Sequence, residues 1–411
     1  MKLYGFFHFR GLRKNPFLEG GKFSTAMTLV SKLPHIGTTI FTIMSKMATD
    51  EGAINLSQGF PGFGSDPVLL EMVAKYTKGG YNQYSPMSGI PALRNILAKK
   101  THLTQGYFPD PEQEVTIVSG ATEAIFCAVT TIVRAGDEVI VLEPAYDSYE
   151  PAITLNGGVP VYVPLRKGDF SVDWEQVNAA LTPKTRAIMV NSPHNPSGYV
   201  WNLEDVNQLA DLVEKTGIYV ISDEVYEHIT FDSRPHISVG SHPTLKEKTF
   251  VCGSFGKTFH VTGWKIGYCI APRLLSSEFR KIHQYVTFST VTPIQFALAE
   301  YLEEPERYLS IPDFYQKKRD LFAEGLAHTE LEFVPSTGSF FQLASYGHLS
   351  QISDRVLAER MTKELKVACI PISVFYSNKK DDKIIRFCFA KEESELEEAL
   401  NRLRNLKKVF Y

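Results

Sequence analysis

Apolar residues recur along the middle of the chain with two alternating periods. Runs of four or five residues, Val115–Val118, Glu138–Leu142, Val159–Val163, Ala187–Val190, Ile218–Ile221, Thr249–Cys252 and Ile266–Ile270, read as strands. Between the first two the period lengthens. From Ala121 to Val133 apolar residues fall at 121, 124, 125, 128, 129, 132 and 133, the stripe of an amphipathic helix, closed by Arg134-Ala135-Gly136-Asp137. A second helix fits Leu203 to Glu214. Strands alternating with helices predict an α/β fold with a large, doubly wound and mostly parallel sheet.

From about Glu300 the pattern changes. Long charged stretches with helical spacing cover Asp313–Leu326, Ser353–Leu365 and Glu392–Lys408, separated by strand-like pieces at Phe340–Leu343 and Ile384–Phe389. The last helix begins acidic and ends basic, which suits its macrodipole. These features predict a smaller α+β domain over residues 300–411, a large domain over 66–299, and an arm over 24–65 that packs with the smaller domain. The aromatic and basic start, residues 1–23, lacks the continuous apolar core of a secretory signal. It reads as a disordered extension or an early start codon, with Met27 an alternative start.

Open parallel sheets bind ligands beyond the carboxyl ends of their strands, so the residues there are the candidates for chemistry. After Val118 comes Ser119-Gly120-Ala121-Thr122, opening a helix whose free N–H groups suit an anion. After Val190 comes Asn191-Ser192-Pro193-His194-Asn195-Pro196-Ser197-Gly198, and after Ile221 comes Ser222-Asp223-Glu224-Val225-Tyr226. After Cys252 comes Ser254-Phe255-Gly256-Lys257-Thr258. A lysine at the mouth of a buried strand is partly desolvated, which lowers its pKa and exposes an amine able to condense with an aldehyde. Each piece alone has a plainer reading: Ser119-Gly120 as a helix cap, Asn195-Pro196 as a turn, Asp223 as a cap, Lys257 as a surface lysine.

Composition narrows the classes. A length of 411 residues suggests two or three domains, and 44% apolar residues supply a sizeable core. The net charge of −3 gives no global basic field for nucleic acid or anionic lipid. No apolar run approaches the roughly 18 residues of a membrane span. Five cysteines without close pairing predict free thiols and a cytoplasmic, reducing setting. No C-x-x-C or H-E-x-x-H is present, so no metal site is expected. Gly256-Lys257-Thr258 ends like a P-loop, but Val251 stands where that motif needs glycine.

In this order the motifs resemble the fold-type I pyridoxal-phosphate enzymes, specifically class I aminotransferases, in the branch of the methionine and kynurenine aminotransferases. The resemblance runs from about Ser31 to Leu406. It rests on Ser57-Gln58-Gly59-Phe60-Pro61, Asn82-Gln83-Tyr84, Asp223-Glu224-Val225-Tyr226, Ser254-Phe255-Gly256-Lys257-Thr258 and Gly263-Trp264-Lys265-Ile266-Gly267. The opening Leu33-Pro34-His35-Ile36-Gly37-Thr38-Thr39-Ile40-Phe41 looks most like the methionine enzymes.

The resemblance implies pyridoxal 5'-phosphate as cofactor and a role for each residue. Lys257 would hold the cofactor through an imine and carry the substrate's α-proton. Asp223 would face the pyridine nitrogen, Asn195 and Tyr226 the 3'-oxygen, and Tyr146 the ring face. Gly120, Ala121, Ser254 and Lys265 would hold the phosphate, Lys265 standing where many aminotransferases have arginine. Tyr84 and Phe288 resemble residues that enter from a neighbouring subunit, which implies a homodimer with shared sites. Ile384-Ile385-Arg386-Phe387-Cys388-Phe389 places an arginine in an apolar strand, where a structural ion pair is the plain reading. Its position matches the family's fork for the substrate carboxylate, with Gly59 and Asn195 completing the grip.

Phe60, Tyr84, Phe288 and Phe375 as walls, with no assignable second arginine, imply a long apolar or aromatic side chain, as in methionine, phenylalanine, tyrosine or kynurenine. The expected activity is ping-pong transfer of an amino group from such an amino acid to a 2-oxo acid. A β-lyase acting on cysteine conjugates would use the same cofactor site. A binding protein that kept only the fold is the third reading.

Overall fold

The computed structural model describes residues 29–410. The extension read over residues 1–23 and the beginning of the arm lie outside the described residues. Twelve strands occur among them: β1 (Ile54–Asn55), β2 (Val115–Val118), β3 (Glu138–Glu143), β4 (Val159–Pro164), β5 (Thr185–Asn191), β6 (Tyr219–Asp223), β7 (Thr249–Ser254), β8 (Gly267–Ile270), β9 (Phe341–Ser345), β10 (Val367–Ala368), β11 (Ile370–Pro371) and β12 (Ile384–Cys388).

Seven of them form one sheet in the order β2-β8-β7-β6-β5-β3-β4. All neighbours pair in parallel except at β8, which runs antiparallel to both β2 and β7. Side chains alternate between the two faces. Val139 and Val141 pack with Ala124, Ile125 and Phe279 of the helices Ala121–Ile132 and Arg273–Val286. Ile140 and Leu142 pack on the other side with Val206 and Leu209 of the helix Leu203–Thr216. Both faces are covered, so these strands read as continuous apolar runs. Each such side chain contributes about 1.5–3 kcal/mol on burial. The helix Leu203–Thr216 starts at a reciprocal cap, with Asn202 and Asp205 each accepting from the other's backbone N–H.

A second hydrophobic cluster gathers β9, β12 and the helices Ile311–Leu326, Asp354–Arg360 and Glu393–Leu403. It includes Met44 and Leu56 from the segment before residue 66. β11, β12 and β9 form an antiparallel sheet, and β1 pairs in parallel with β10. Leu298, Leu302 and Tyr308 pack with the large-sheet residues, whereas Ile311 and Tyr315 pack with the second cluster.

Two charged helices are shorter than their patterns suggest. The stretch expected over Ser353–Leu365 is α-helical from Asp354 to Arg360 and widens into a π turn over Met361–Leu365. Lys366, at φ 57°, then ends it. The last helix stops at Leu403, and Leu406–Val409 tightens into a 3₁₀ turn.

Candidate active site

Asn191 and Asp223 end the neighbouring parallel strands β5 and β6 and stand side by side in register. Ser254 ends β7. β8 runs the opposite way, so its first residue, Gly267, meets both Val118 at the end of β2 and Ser254 at the end of β7. The antiparallel strand therefore delivers Lys265, two residues before it, to the edge where the parallel strands finish. A Cβ at Gly267 would stand 2.5 Å from the Gly253 carbonyl oxygen and 3.1 Å from the Ala121 nitrogen, so only glycine permits this approach.

A cavity of about 390 Å³ opens at that edge. Gly59, Phe60, Gly120, Ala121, Tyr146, Asn195, Asp223, Tyr226, Ser254, Lys257, Lys265 and Arg386 all line it. Tyr84 and Phe288 do not. They lie on the surface, edge to face at 5.2 Å, with Tyr84 84% exposed. Phe375 is not a wall either: it is buried behind Arg386, its ring centroid 5.1 Å from the guanidinium carbon.

Lys257 Nζ donates to the Gly59 carbonyl at 2.9 Å and has the rings of Phe340 and Tyr226 at 5.4 and 5.7 Å. Burial, aided by the positive charges of Arg386 and Lys265, brings its pKa down from the ordinary 10.5 to about 8. A lysine so shifted offers far more free amine at neutral pH than a solvated one. In cofactor-free protein, the rate of Lys257 reductive methylation is expected to rise with pH through a midpoint near 8. A midpoint with the surface lysines, near 10.5, would contradict the desolvated environment.

Asp223 lies opposite as a buried carboxyl. Burial pushes its pKa up to about 6, opposed by the Tyr149 hydroxyl, which donates to Oδ2 at 2.7 Å, and by the Val225 N–H at 3.3 Å. Without a cationic neighbour in contact, this carboxyl suits a ligand that brings an N–H⁺. Tyr149 is absent from the sequence reading, although it sits three residues after Tyr146.

Arg386 is fully buried and makes no ion pair among the described residues. Its Nη1 donates to Asn195 Oδ1 at 2.6 Å and its Nη2 to the Ser57 carbonyl at 3.1 Å. Its Nε has no partner. The Phe341 ring lies 3.8 Å from the guanidinium carbon. Burial alone brings its pKa down to about 10. A structural ion pair, the plain sequence reading of this arginine, is thus not what the structure contains. An uncompensated buried cation with a spare donor beside a cavity is a site for an anion. Asn195 Oδ1 is committed to the guanidinium, and its backbone N–H donates to Asn191 Oδ1 at 2.8 Å. Its side-chain N–H₂ therefore remains as the cavity donor.

At the helix start, Gly120 adopts φ 79°, and a Cβ there would come within 3.3 Å of Lys265 Nζ. The Gly120 N–H, expected to meet a phosphate, instead donates to the Val118 carbonyl at 2.8 Å. The first-turn donors at the cavity are those of Ala121 and Thr122. Lys265 makes no ion pair among the described residues. A tight glycine turn, helix N–H groups, the Ser254 hydroxyl and a free ammonium together fit a phosphate group. Phe41, Gln58, Ile125, Asn191 and Phe341 also line the cavity. Phe41, Gln58 and Asn191 stand inside the quoted motifs but carry no assigned role there, whereas Ile125 and Phe341 belong to a helix and a strand whose apolar pattern reads simply as core.

Comparisons with known proteins agree with this geometry. The model of the family Aminotransferase class I and II matches residues 51–403. The methionine aminotransferase of Escherichia coli K12 is 49% identical over 377 residues, covering 92% of this chain and 98% of the relative. A kynurenine–oxoglutarate transaminase of Dictyostelium discoideum is 34% identical, covering 90% of this chain and 95% of the relative. An Escherichia coli crystal structure identified with a methionine aminotransferase function superposes with a TM-score of 0.90 at 48% identity, over 92% of this chain and all of the other. Such agreement over nearly the whole length places the chain in the class I and II aminotransferase family, with the fold of its pyridoxal-phosphate-dependent members.

Proposed function

We propose that this aminotransferase binds pyridoxal 5'-phosphate and moves the amino group of methionine or an aromatic amino acid to a 2-oxo acid by a ping-pong mechanism. One observation carries the reading: a desolvated amine, a buried carboxyl and an unpaired buried guanidinium face one cavity, at Lys257, Asp223 and Arg386. When bound, the cofactor supplies an electron sink for charge developing on the substrate's α-carbon.

The chain's own residues do the rest. Lys257 Nζ is the attachment point and then the base that takes the proton from the substrate's Cα. Asp223, held by Tyr149, stabilises a positive ring nitrogen. Asn195 and Tyr226 supply donors beside Lys257. Arg386 orients the substrate through its carboxylate, and Phe41, Phe60 and Phe341 keep water from the reacting centre.

The substrate side chain follows from the walls. Arg386 is the only arginine lining the cavity among the described residues, so a second carboxylate finds no fork there. Rings and Ile125 favour a thioether or aromatic group. The exposed pair Tyr84 and Phe288 supports a homodimer in which each subunit completes the other's site. The five cysteines are buried and free, which supports a cytoplasmic setting, and no described helix is long and apolar enough to cross a membrane.

The test is a donor screen. Methionine and the aromatic amino acids should be consumed with appearance of the matching 2-oxo acid only when an acceptor is present, by a protein with a near-ultraviolet or visible chromophore. A protein that stays colourless with pyridoxal 5'-phosphate, or that prefers aspartate, overturns the reading. Tyr149→Phe removes one hydrogen bond to a carboxylate, worth about 1.5–3 kcal/mol. It is expected to weaken cofactor binding about tenfold or more in an equilibrium titration, and unchanged affinity would exclude a role for Tyr149 in holding Asp223.

A further inference from the structure

Beneath the helix start lies a buried pair that the mechanism above does not use. Glu123 sits in the first turn of the helix Ala121–Ile132, two residues after Ala121. Its Oε2 accepts the N–H of Ser119, the residue just before the glycine turn. Its Oε1 lies 2.6 Å from Nδ1 of His283, which is wholly buried on the helix Arg273–Val286. The other ring nitrogen, Nε2, lies 3.0 Å from the Met87 carbonyl. A carbonyl only accepts, so Nε2 carries a proton. The contact between Nδ1 and Oε1 then needs one more, held by either group. The pair is neutral as a unit in both arrangements.

That neutrality matters because of where the carboxyl stands. An anionic glutamate in the first turn would compete with a phosphate for the same positive helix end. With the Ser119 N–H held by Glu123 and the Gly120 N–H held by Val118, the turn presents the donors of Ala121 and Thr122 to the cavity. We propose that Glu123 and His283 are positioning residues for the cofactor's phosphate: they fix the Ser119–Thr122 turn while cancelling the charge of the carboxyl beneath it. This rests on the phosphate lying at that turn, as the proposed function has it.

The test compares two ligands on the cofactor-stripped full chain, pyridoxal 5'-phosphate and pyridoxal, which lacks the phosphate. In the unmodified protein the phosphate should tighten binding by about a hundredfold or more. Glu123→Ala should shrink that ratio about tenfold or more, mainly by weakening the phosphorylated ligand. Glu123→Gln should restore it to within about threefold. Its amide accepts from Ser119 and donates to Nδ1 of His283, keeping every contact without a charge. Should Glu123→Ala fail to fold, His283→Leu reads the same quantity and should also shrink the ratio, since it leaves the carboxyl uncompensated.

Equal weakening of both ligands, or a Glu123→Gln protein no better than Glu123→Ala, would reduce the pair to a structural role and overturn the proposal. A ratio near one in the unmodified protein would instead overturn the placement of the phosphate, and the proposal with it.

Discussion

Lys257→Ala is expected to lose transamination by at least about four orders of magnitude while keeping the fold. The proposed function puts two tasks on one nitrogen: covalent attachment, and proton transfer at the substrate's α-carbon, of which the latter alone contributes about 10²–10⁴-fold. No described neighbour can replace it. The other ammonium in the cavity, Lys265, stands at the helix start of Gly120 rather than beside Gly59. Removing Lys257 also deletes a desolvated amine, so stability is not expected to fall. With a folded pKa near 8 against 10.5 unfolded, the unfolded chain binds the extra proton between those values. Lys257 therefore opposes folding at neutral pH, and its contribution improves as pH rises toward 10.5. Single-turnover assays with methionine, alongside circular dichroism, check both parts. Turnover within tenfold of the parent would refute the assignment.

Arg386→Leu should lower kcat/KM for the amino donor by about 10²–10³, which lies within the roughly 2–5 kcal/mol that truncating one partner of a buried charged contact costs. The loss should fall on every substrate carrying an α-carboxylate and spare cofactor binding. Thermal stability of the substrate-free protein should change little, because removing an unpaired buried cation offsets the space left by the shorter leucine. A melting curve and a donor titration separate the two effects. A marked drop in stability with an unchanged kcat/KM would make Arg386 a structural residue.

The parts legible in the chain share a physical cause. β3 and β5 through β7 lie between two helical layers, so every residue in them is under pressure to be apolar, and short unbroken runs announce them. The helix Ala121–Ile132 shows its stripe because one side packs on that sheet. Less legible were features decided by tertiary contact. The reversed direction of β8 leaves no trace in its composition. Ile385, Arg386 and Phe387 read as an alternating strand with the arginine opposed to its neighbours. All three are buried because both faces of β12 are covered, Ile385 and Phe387 by the second hydrophobic cluster and Arg386 by the rings of Phe41, Phe341 and Phe375. The site divides the same way. Residues directly after strands, such as Asp223 and Ser254, could be found by position. Tyr149 and Phe341 could not, since Tyr149 reaches Asp223 and Phe341 reaches the cavity by packing rather than by following a motif.

The stretch from Ser57 to Phe60 touches both cationic groups through its backbone: the carbonyl of Ser57 meets Arg386 and that of Gly59 meets Lys257. Phe60 adds a third tether, its own carbonyl accepting from Lys391 at 3.2 Å. Rerouting this ribbon would disturb Lys257 and Arg386 together. The side chains at 41 and 60, which line the same cavity, can instead change bulk while the path of the main chain stays constant.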